Sequence, residues 1–153
     1  MKIATLAIIV RDGKVLLGYK KKGEIGAKTL NGPGGKVEPG ETLLHCVVRE
    51  AREELGIHLI PSTLNEIAVI TFFASGEPDF KVHIFWTDKF RGRPKETSEM
   101  IPQWVSVSTL PLDQMLESDR KWFPKAIRGE RFRATVHYKE SASGFQKIEF
   151  TPY

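Results

Sequence analysis

Strand-like segments that outnumber helical ones, with one long helix directly behind a glycine-rich loop, predict a single α/β or α+β domain spanning residues 1–153. The length of 153 residues suits one domain and suffices for a hydrophobic core without covalent staples. A composition of 41% hydrophobic and 27% charged residues, free of repeats and low-complexity tracts, excludes disordered and fibrous classes.

The elements follow in order. Residues 2–10 (KIATLAIIV) are β-branched and aliphatic and predict a strand. Asp12-Gly13 is a two-residue hairpin signal, and Lys14–Tyr19 is the returning strand. Residues 31–41 (NGPGGKVEPGE) predict a tight, structured turn. Over Thr42–Leu55 the residues Leu44, Val47, Val48, Ala51 and Leu55 recur at helical spacing; Thr42 can cap the start and Gly56 the end. Ile57–Ile60, Ile67–Ala74, Phe80–Trp86 and Trp104–Val107 predict strands, with a turn at Gly76-Glu77-Pro78. Ser108–Leu116 and Asp119–Ile127 predict two short helices, limited by Pro111 and Pro124. Phe132–Tyr138 and Phe145–Phe150 predict a closing strand pair around Ser141–Gly144.

A net charge of +4 favours anionic partners such as nucleotides, pyrophosphate or RNA ends, with plain solubility as the alternative. Lys20-Lys21-Lys22-Gly23, continuing through Gly26 and Lys28, is either a solvated loop or a clamp on phosphates. The single cysteine, Cys46, excludes an internal disulfide framework and a multi-cysteine zinc site. It is expected to be a buried structural thiol in a reducing cytoplasm. The four histidines lack ligand spacing. The longest apolar run, Leu6 to Val10, is far short of a membrane span, and the start of the chain lacks a signal-peptide pattern. A cytoplasmic location without membrane contact is therefore expected.

Glu50, Glu53 and Glu54 stand at i, i+3 and i+4 and share one helix face, with Arg49 alongside and Glu41 at the helix entrance. Two such charges ~6 Å apart repel by about 3 kcal/mol at an effective dielectric near 20. In open water the repulsion is small, so a solvated acidic face is the alternative. The Gly-Gly turn directly ahead and the basic loop upstream favour a site instead. Clustered carboxylate oxygens select Mg²⁺ or Mn²⁺, ions that polarise a phosphoryl group and acidify a bound water.

Gly35, five residues to Glu41 and seven more to Arg49-Glu50-Ala51-Arg52-Glu53-Glu54-Leu55-Gly56-Ile57 match every fixed position of G-x5-E-x7-R-E-U-x-E-E-x-G-U, with U aliphatic. In this the chain resembles the Nudix hydrolases. The stretches VLLGYKKKG, LNGPGGKVEPGET, GEPDFKVHIFWTD, SEMIPQW and KWFP resemble the 8-oxo-dGTP diphosphatase branch of that family. The resemblance implies an α/β/α sandwich with a mixed β-sheet and one long catalytic helix. It implies hydrolysis of a nucleoside diphosphate linked to another moiety. It further implies that Glu50, Glu53, Glu54 and the Gly34 carbonyl hold Mg²⁺ (or Mn²⁺), joined by Glu99. Arg49 would orient a carboxylate, with Glu50 the expected partner, and the general base stays open between Glu50, Glu54 and Glu99. Lys20 and Lys36 are candidate phosphate contacts.

For the base, Asn31 matches an asparagine that bonds a purine edge in that branch, and Thr5 and Phe72 match pocket-lining positions. Leu116-Glu117-Ser118-Asp119 stands where the branch carries Trp-Pro-Asp-Asp. Leu116 thus replaces a stacking tryptophan, Ser118 replaces one purine-reading aspartate, and Asp119 remains. Aromatic stacking is worth roughly 1–3 kcal/mol per base, so tight selection of an oxidised guanine is not expected. Trp104, close behind Glu99, is the tryptophan best placed to reach the pocket; Trp86 and Trp122 are expected in the core. The expected activity is cleavage of a purine nucleoside triphosphate to monophosphate and pyrophosphate. An alternative is removal of pyrophosphate from RNA 5′ ends, drawing on Lys20, Lys21, Lys22, Lys28, Arg128, Arg131 and Arg133. A non-catalytic nucleotide sensor would show degenerate box acids, and none is degenerate here. The expected partner is a nucleotide, or an RNA 5′ end, with no DNA duplex; the chain is expected to be a monomer or homodimer.

Overall fold

The computed structural model describes residues 1–23 and 27–153; Gly26, within the basic segment, lies outside the described residues. Strand β1 (Lys2–Arg11) is the spine. It turns through Asp12 and Gly13, both at positive φ (51° and 74°), into β2 (Lys14–Lys20), as the Asp-Gly pair requires. The segment expected to be only a turn also contributes two short strands, β3 (Leu30–Asn31) and β4 (Gly34–Lys36). They form because β1 and β2 offer open edges: β4 pairs with Ala4–Leu6 and β3 with Gly18 and Tyr19.

Helix α1 (Leu43–Leu55) has the expected ends. Thr42 Oγ1 accepts the His45 N–H at 3.1 Å, and Gly56 closes the helix at φ 69°. The apolar stripe is rotated from the expected one. Leu44 is 39% exposed, whereas Cys46, Val47, Ala51, Glu54 and Leu55 are buried. Strand β5 (His58–Leu59) follows, then β6 (Asn65–Ala74) and β7 (Glu77–Thr87). Ser75 and Gly76 alone make the β6–β7 turn, at φ 53° and 77°. Glu77 and Pro78 therefore belong to β7 rather than to the turn. Pro78 lies opposite Phe73, where the register shifts, a place that tolerates a missing N–H.

The short β8 (Phe90–Arg91) pairs with β5, and β9 (Met100–Ser106) begins four residues before the expected strand. Pro102 hid that start, but among the described residues β9 pairs only with β2 and so leaves the proline on an edge. Ser108–Leu116 is not a helix; it carries a single 3₁₀ turn at Leu112–Gln114. Pro111 supplies no N–H there, and Leu110, Leu112 and Met115 pack into the core instead of forming a stripe. Helix α2 (Glu117–Ile127) starts two residues early, and β10 (Phe132–Glu140) and β11 (Ser143–Thr151) close the chain.

The strands β11, β10, β6, β7, β1, β2 and β3 lie side by side in that order, with β4 joined to β1 and β9 to β2. The β1–β7 and β6–β10 pairs are parallel and the others antiparallel, so the sheet is mixed. Alternation along β1 builds two cores. Ala7 and Ile9 pack with Val47, Ala51 and Leu55 of α1, while Ile8 packs with Trp122, Phe123 and Ala126 of α2. The result is the α/β/α sandwich. No helix among the described residues is long and apolar enough to cross a membrane.

Gly34 is where β4 meets β1 most closely. A Cβ there would lie 2.1 Å from the Thr5 carbonyl oxygen and 2.8 Å from Leu6 Cα, backbone atoms that cannot step aside. Gly34→Ala is expected to cost about 1–3 kcal/mol and to lower the melting temperature by roughly 2–12 °C. An unchanged calorimetric melt would contradict this contact.

Candidate active site

A cavity of about 450 Å³ opens beside β1 and β4, and most of the residues singled out in the sequence border it. Glu50, Glu54 and Glu99 line one end, next to Gly34 and Gly35. Lys20, Lys22 and Lys36 line it from the basic side. Asn31, Asp119, Trp122, Leu116 and Phe72 line the more apolar part.

At the acidic end the β1–β4 ladder decides which way the backbone points. Pro33 and Val37 take its bonded positions, through the Ala7 N–H and the Ile3 carbonyl, each at 2.9 Å. Gly34 falls at the alternate position, so its N–H and carbonyl turn away from β1. The N–H donates to Glu54 Oε1 at 2.7 Å. Glu54 is 3% exposed; burial, with Glu50 and Glu99 nearby, pushes its pKa up to about 8. Burial raises Glu50 too, against the pull of Arg49.

Arg49 has a larger task than orienting Glu50. Its Nε and Nη2 grip Glu41 at 2.6 and 2.9 Å, Nη1 reaches Glu50 at 2.8 Å, and Nη2 also donates to the Lys36 carbonyl at 3.2 Å. The forked contact holds Glu41 down to about 2. Glu53 does not join Glu50 and Glu54 at the cavity. Its side chain is 45% exposed and lies against Arg49 at 3.2 Å. The shared face expected of the three acids is therefore divided between cavity and rim. Among the described residues no three acidic or histidine side chains already form a closed cation cage. What the cavity offers is an open, oxygen-only set from Glu50, Glu54 and Glu99 with excess negative charge, a donor chemistry that fits a hard divalent cation.

At the other end the sequence candidates Asn31 and Asp119 meet: Asn31 Nδ2 donates to Asp119 Oδ2 at 2.9 Å, and Asn31 Oδ1 accepts the Gly32 N–H at 2.8 Å. Trp122 Nε1 donates to Asp119 Oδ1 at 2.9 Å. Sequence reasoning left Trp122 in the core; its place one helical turn after Asp119 is the signal that could have found it. Trp104 takes no part in the cavity. Trp104 on β9 pairs with Leu16 of β2, which sends it to the α1 side, 37% exposed and stacked 6.1 Å from Phe90. Thr5 borders the cavity, but its hydroxyl turns to the α1 side and donates to Cys46 Sγ at 3.2 Å. Cys46 is buried.

The basic segment does not act as one unit. Lys20 and Lys22 border the cavity, whereas Lys21 Nζ is drawn to Glu96 at 2.6 Å and to the Thr97 carbonyl at 2.8 Å. Arg128 pairs with Glu130, and Arg131 and Arg133 lie over the Tyr153 ring at 4.2 and 5.3 Å.

Burial pushes Asp119 up to about 7, against the bonds from Trp122 and Ser118. With its folded value above the ordinary 3.8, the folded state keeps a proton that the unfolded chain releases. The associated stability is complete below about 4 and is lost as pH rises through about 7. Relative to Asp119→Asn, the wild type should lose roughly 1–4 kcal/mol between pH 4 and 8 in urea unfolding. Glu54 titrates alike in both proteins, so parallel profiles would contradict the assignment to Asp119.

A model of the NUDIX domain matches residues 1–126. The "Oxidized purine nucleoside triphosphate hydrolase" of Danio rerio is 43% identical over 132 residues, 86% of this chain and 83% of that protein. The mouse protein of the same name is 38% identical over the same shares. The crystal structure of a mutator MutT protein from Bacillus halodurans superposes with a TM-score of 0.83 at 23% identity, covering 100% of this chain and 99% of that one, a likeness of fold. The chain belongs to the NUDIX domain family.

Proposed function

We propose that this protein hydrolyses purine nucleoside triphosphates, oxidised ones among them, to the monophosphate and pyrophosphate. The observation that carries this is one cavity joining two unlike ends: Glu50, Glu54 and Glu99 at one, the Asn31–Asp119 pair at the other. The names of the zebrafish and mouse relatives support the same substrate class.

Glu50, Glu54, Glu99 and the Gly34 carbonyl would hold Mg²⁺ or Mn²⁺, which when bound polarises the phosphoryl group and acidifies the attacking water. Arg49 keeps Glu50 in place by fixing its Oε1. Glu53, paired with Arg49 at the rim, would steady the guanidinium that holds Glu50. Lys20 and Lys36, on the cavity wall, would receive the phosphate charge. The carboxylate and amide of Asp119 and Asn31 would bond the purine edge, with Phe72 against the ring and Thr5 supplying backbone to the wall. The bridge between the α- and β-phosphorus breaks; water's oxygen goes to one of the two, the bridging oxygen leaves with the other, and one net proton goes to solvent.

A free nucleotide is favoured over an RNA end, because Lys21, Arg128, Arg131 and Arg133 are engaged away from the cavity. Leu116 offers no aromatic plane, so discrimination of oxidised from ordinary guanine is expected below about 100-fold.

Product analysis by anion-exchange chromatography should find pyrophosphate and dGMP from dGTP, with activity abolished by a chelator and restored by Mg²⁺. Glu54→Gln should lower kcat by ~10² or more in a folded protein. Release of single phosphate, or full turnover in excess chelator, would refute the proposal.

A further inference from the structure

Asp119 is held from two sides. Oδ2 accepts the Asn31 Nδ2–H at 2.9 Å, and both residues border the cavity. Oδ1 accepts the Trp122 Nε1–H at 2.9 Å and the Ser118 hydroxyl at 3.4 Å. Ser118 is completely buried, and behind it stands Tyr138 on β10, 4% exposed. Tyr138 Oη accepts the Ser118 N–H at 3.2 Å and donates to Ser118 Oγ at 2.9 Å.

With Asp119 ionised, these bonds run in one direction. The Ser118 N–H can only donate, so it occupies a lone pair of the phenol oxygen. The single phenol proton then goes to Ser118 Oγ. The seryl proton is left with Asp119 Oδ1, which already holds the indole N–H. Both lone pairs of Oδ1 are thus committed to the interior, and Oδ2 is the oxygen left to face a base beside Asn31.

We propose that Tyr138, acting through Ser118, is a positioning residue that commits Asp119 Oδ1 to the interior and Oδ2 to the purine edge, and thereby sets which purine the enzyme prefers. This rests on the purine-hydrolase function proposed above. Without the phenol the Ser118 hydroxyl is free to turn from Asp119, and the carboxylate loses the bond that distinguishes its two oxygens. The effect falls on base choice and not on P–O cleavage, because Tyr138 and Ser118 bond to each other and to Asp119, whereas Glu54 and Glu50 are held by Gly34 and Arg49.

The test compares the full chain with Tyr138→Phe, Ser118→Ala and the double variant, using dGTP and dATP with Mg²⁺. Tyr138→Phe keeps the ring against Phe145, 5.6 Å away, and a circular-dichroism melt checks that each variant is folded. The dGTP-to-dATP ratio of kcat/KM should change about 3- to 10-fold through KM. The kcat for the better nucleotide should stay within about twofold. Ser118→Ala should give the same change, and the double variant no more than either single one. An unchanged ratio, equal loss of kcat for both nucleotides, or additive effects would overturn the proposal. Calorimetric binding of dGMP and dAMP reads the same selectivity without turnover. A wild type that hydrolyses neither triphosphate would refute the function, whereas a selectivity indifferent to Tyr138→Phe would refute this inference alone.

Discussion

The forked bond between Arg49 and Glu41 is the contact on which the acidic end of the cavity depends. One planar cation joins the loop before α1, through Glu41 and the Lys36 carbonyl, to the helix itself, through Glu50 and Glu53. A lysine could not do this, having neither the fork nor the fixed directions of five donors. With Glu41 held down to about 2, the pair stays charged across the pH range in which most proteins are folded. The geometry also sorts the acids. Glu41 and Glu53 stay with Arg49 away from the cavity, Glu50 touches both Arg49 and the cavity, and Glu54 faces the cavity alone.

The second constraint is close backbone approach. β4 lies against β1 only because Gly34 carries no side chain, and Gly35 leaves room for Glu50, whose carboxyl carbon would be 2.5 Å from a Cβ there. The same approach exposes the Gly34 N–H to Glu54. Two glycines therefore bring helix and sheet together where the carboxylates must stand. β1 couples this to the rest of the molecule, since its alternate side chains belong to opposite cores. A shift of β1 would move both ends of the cavity at once.

Much of this was legible in the sequence for a physical reason. The capping residues of α1, the Asp-Gly hairpin and the i, i+4 relation of Glu50 and Glu54 are local, and local rules determined them. What was not legible depended on tertiary partners. Glu53 has the right spacing, but Arg49 draws it to the rim. Trp104 lies nearer Glu99 in sequence than Trp122 does, yet strand register sends it to the other face. Residues 108–116 have helical composition, but their leucines are claimed by the core. The meeting of Asn31 with Asp119, 88 residues apart, follows only from the packing of α2 on the sheet.

The groups around Glu54 and those around Asp119 differ in how they handle charge, and the proposed nucleotide substrate would meet both. The Lys20 charge acts on both Glu54 and Asp119, so the lysine stands between them electrostatically. Near neutral pH Asp119 is close to its midpoint, and a partly neutral carboxyl suits an uncharged base better than a full buried anion would. The acidic end has the opposite need. Carboxylates beside an anionic polyphosphate repel it, and positive charge between them offsets that repulsion. Lys20, Lys22 and Lys36 supply part of that charge from the wall. Under the proposed function a divalent cation held by Glu50, Glu54 and Glu99 would supply the rest, with phosphates toward α1 and the base toward α2.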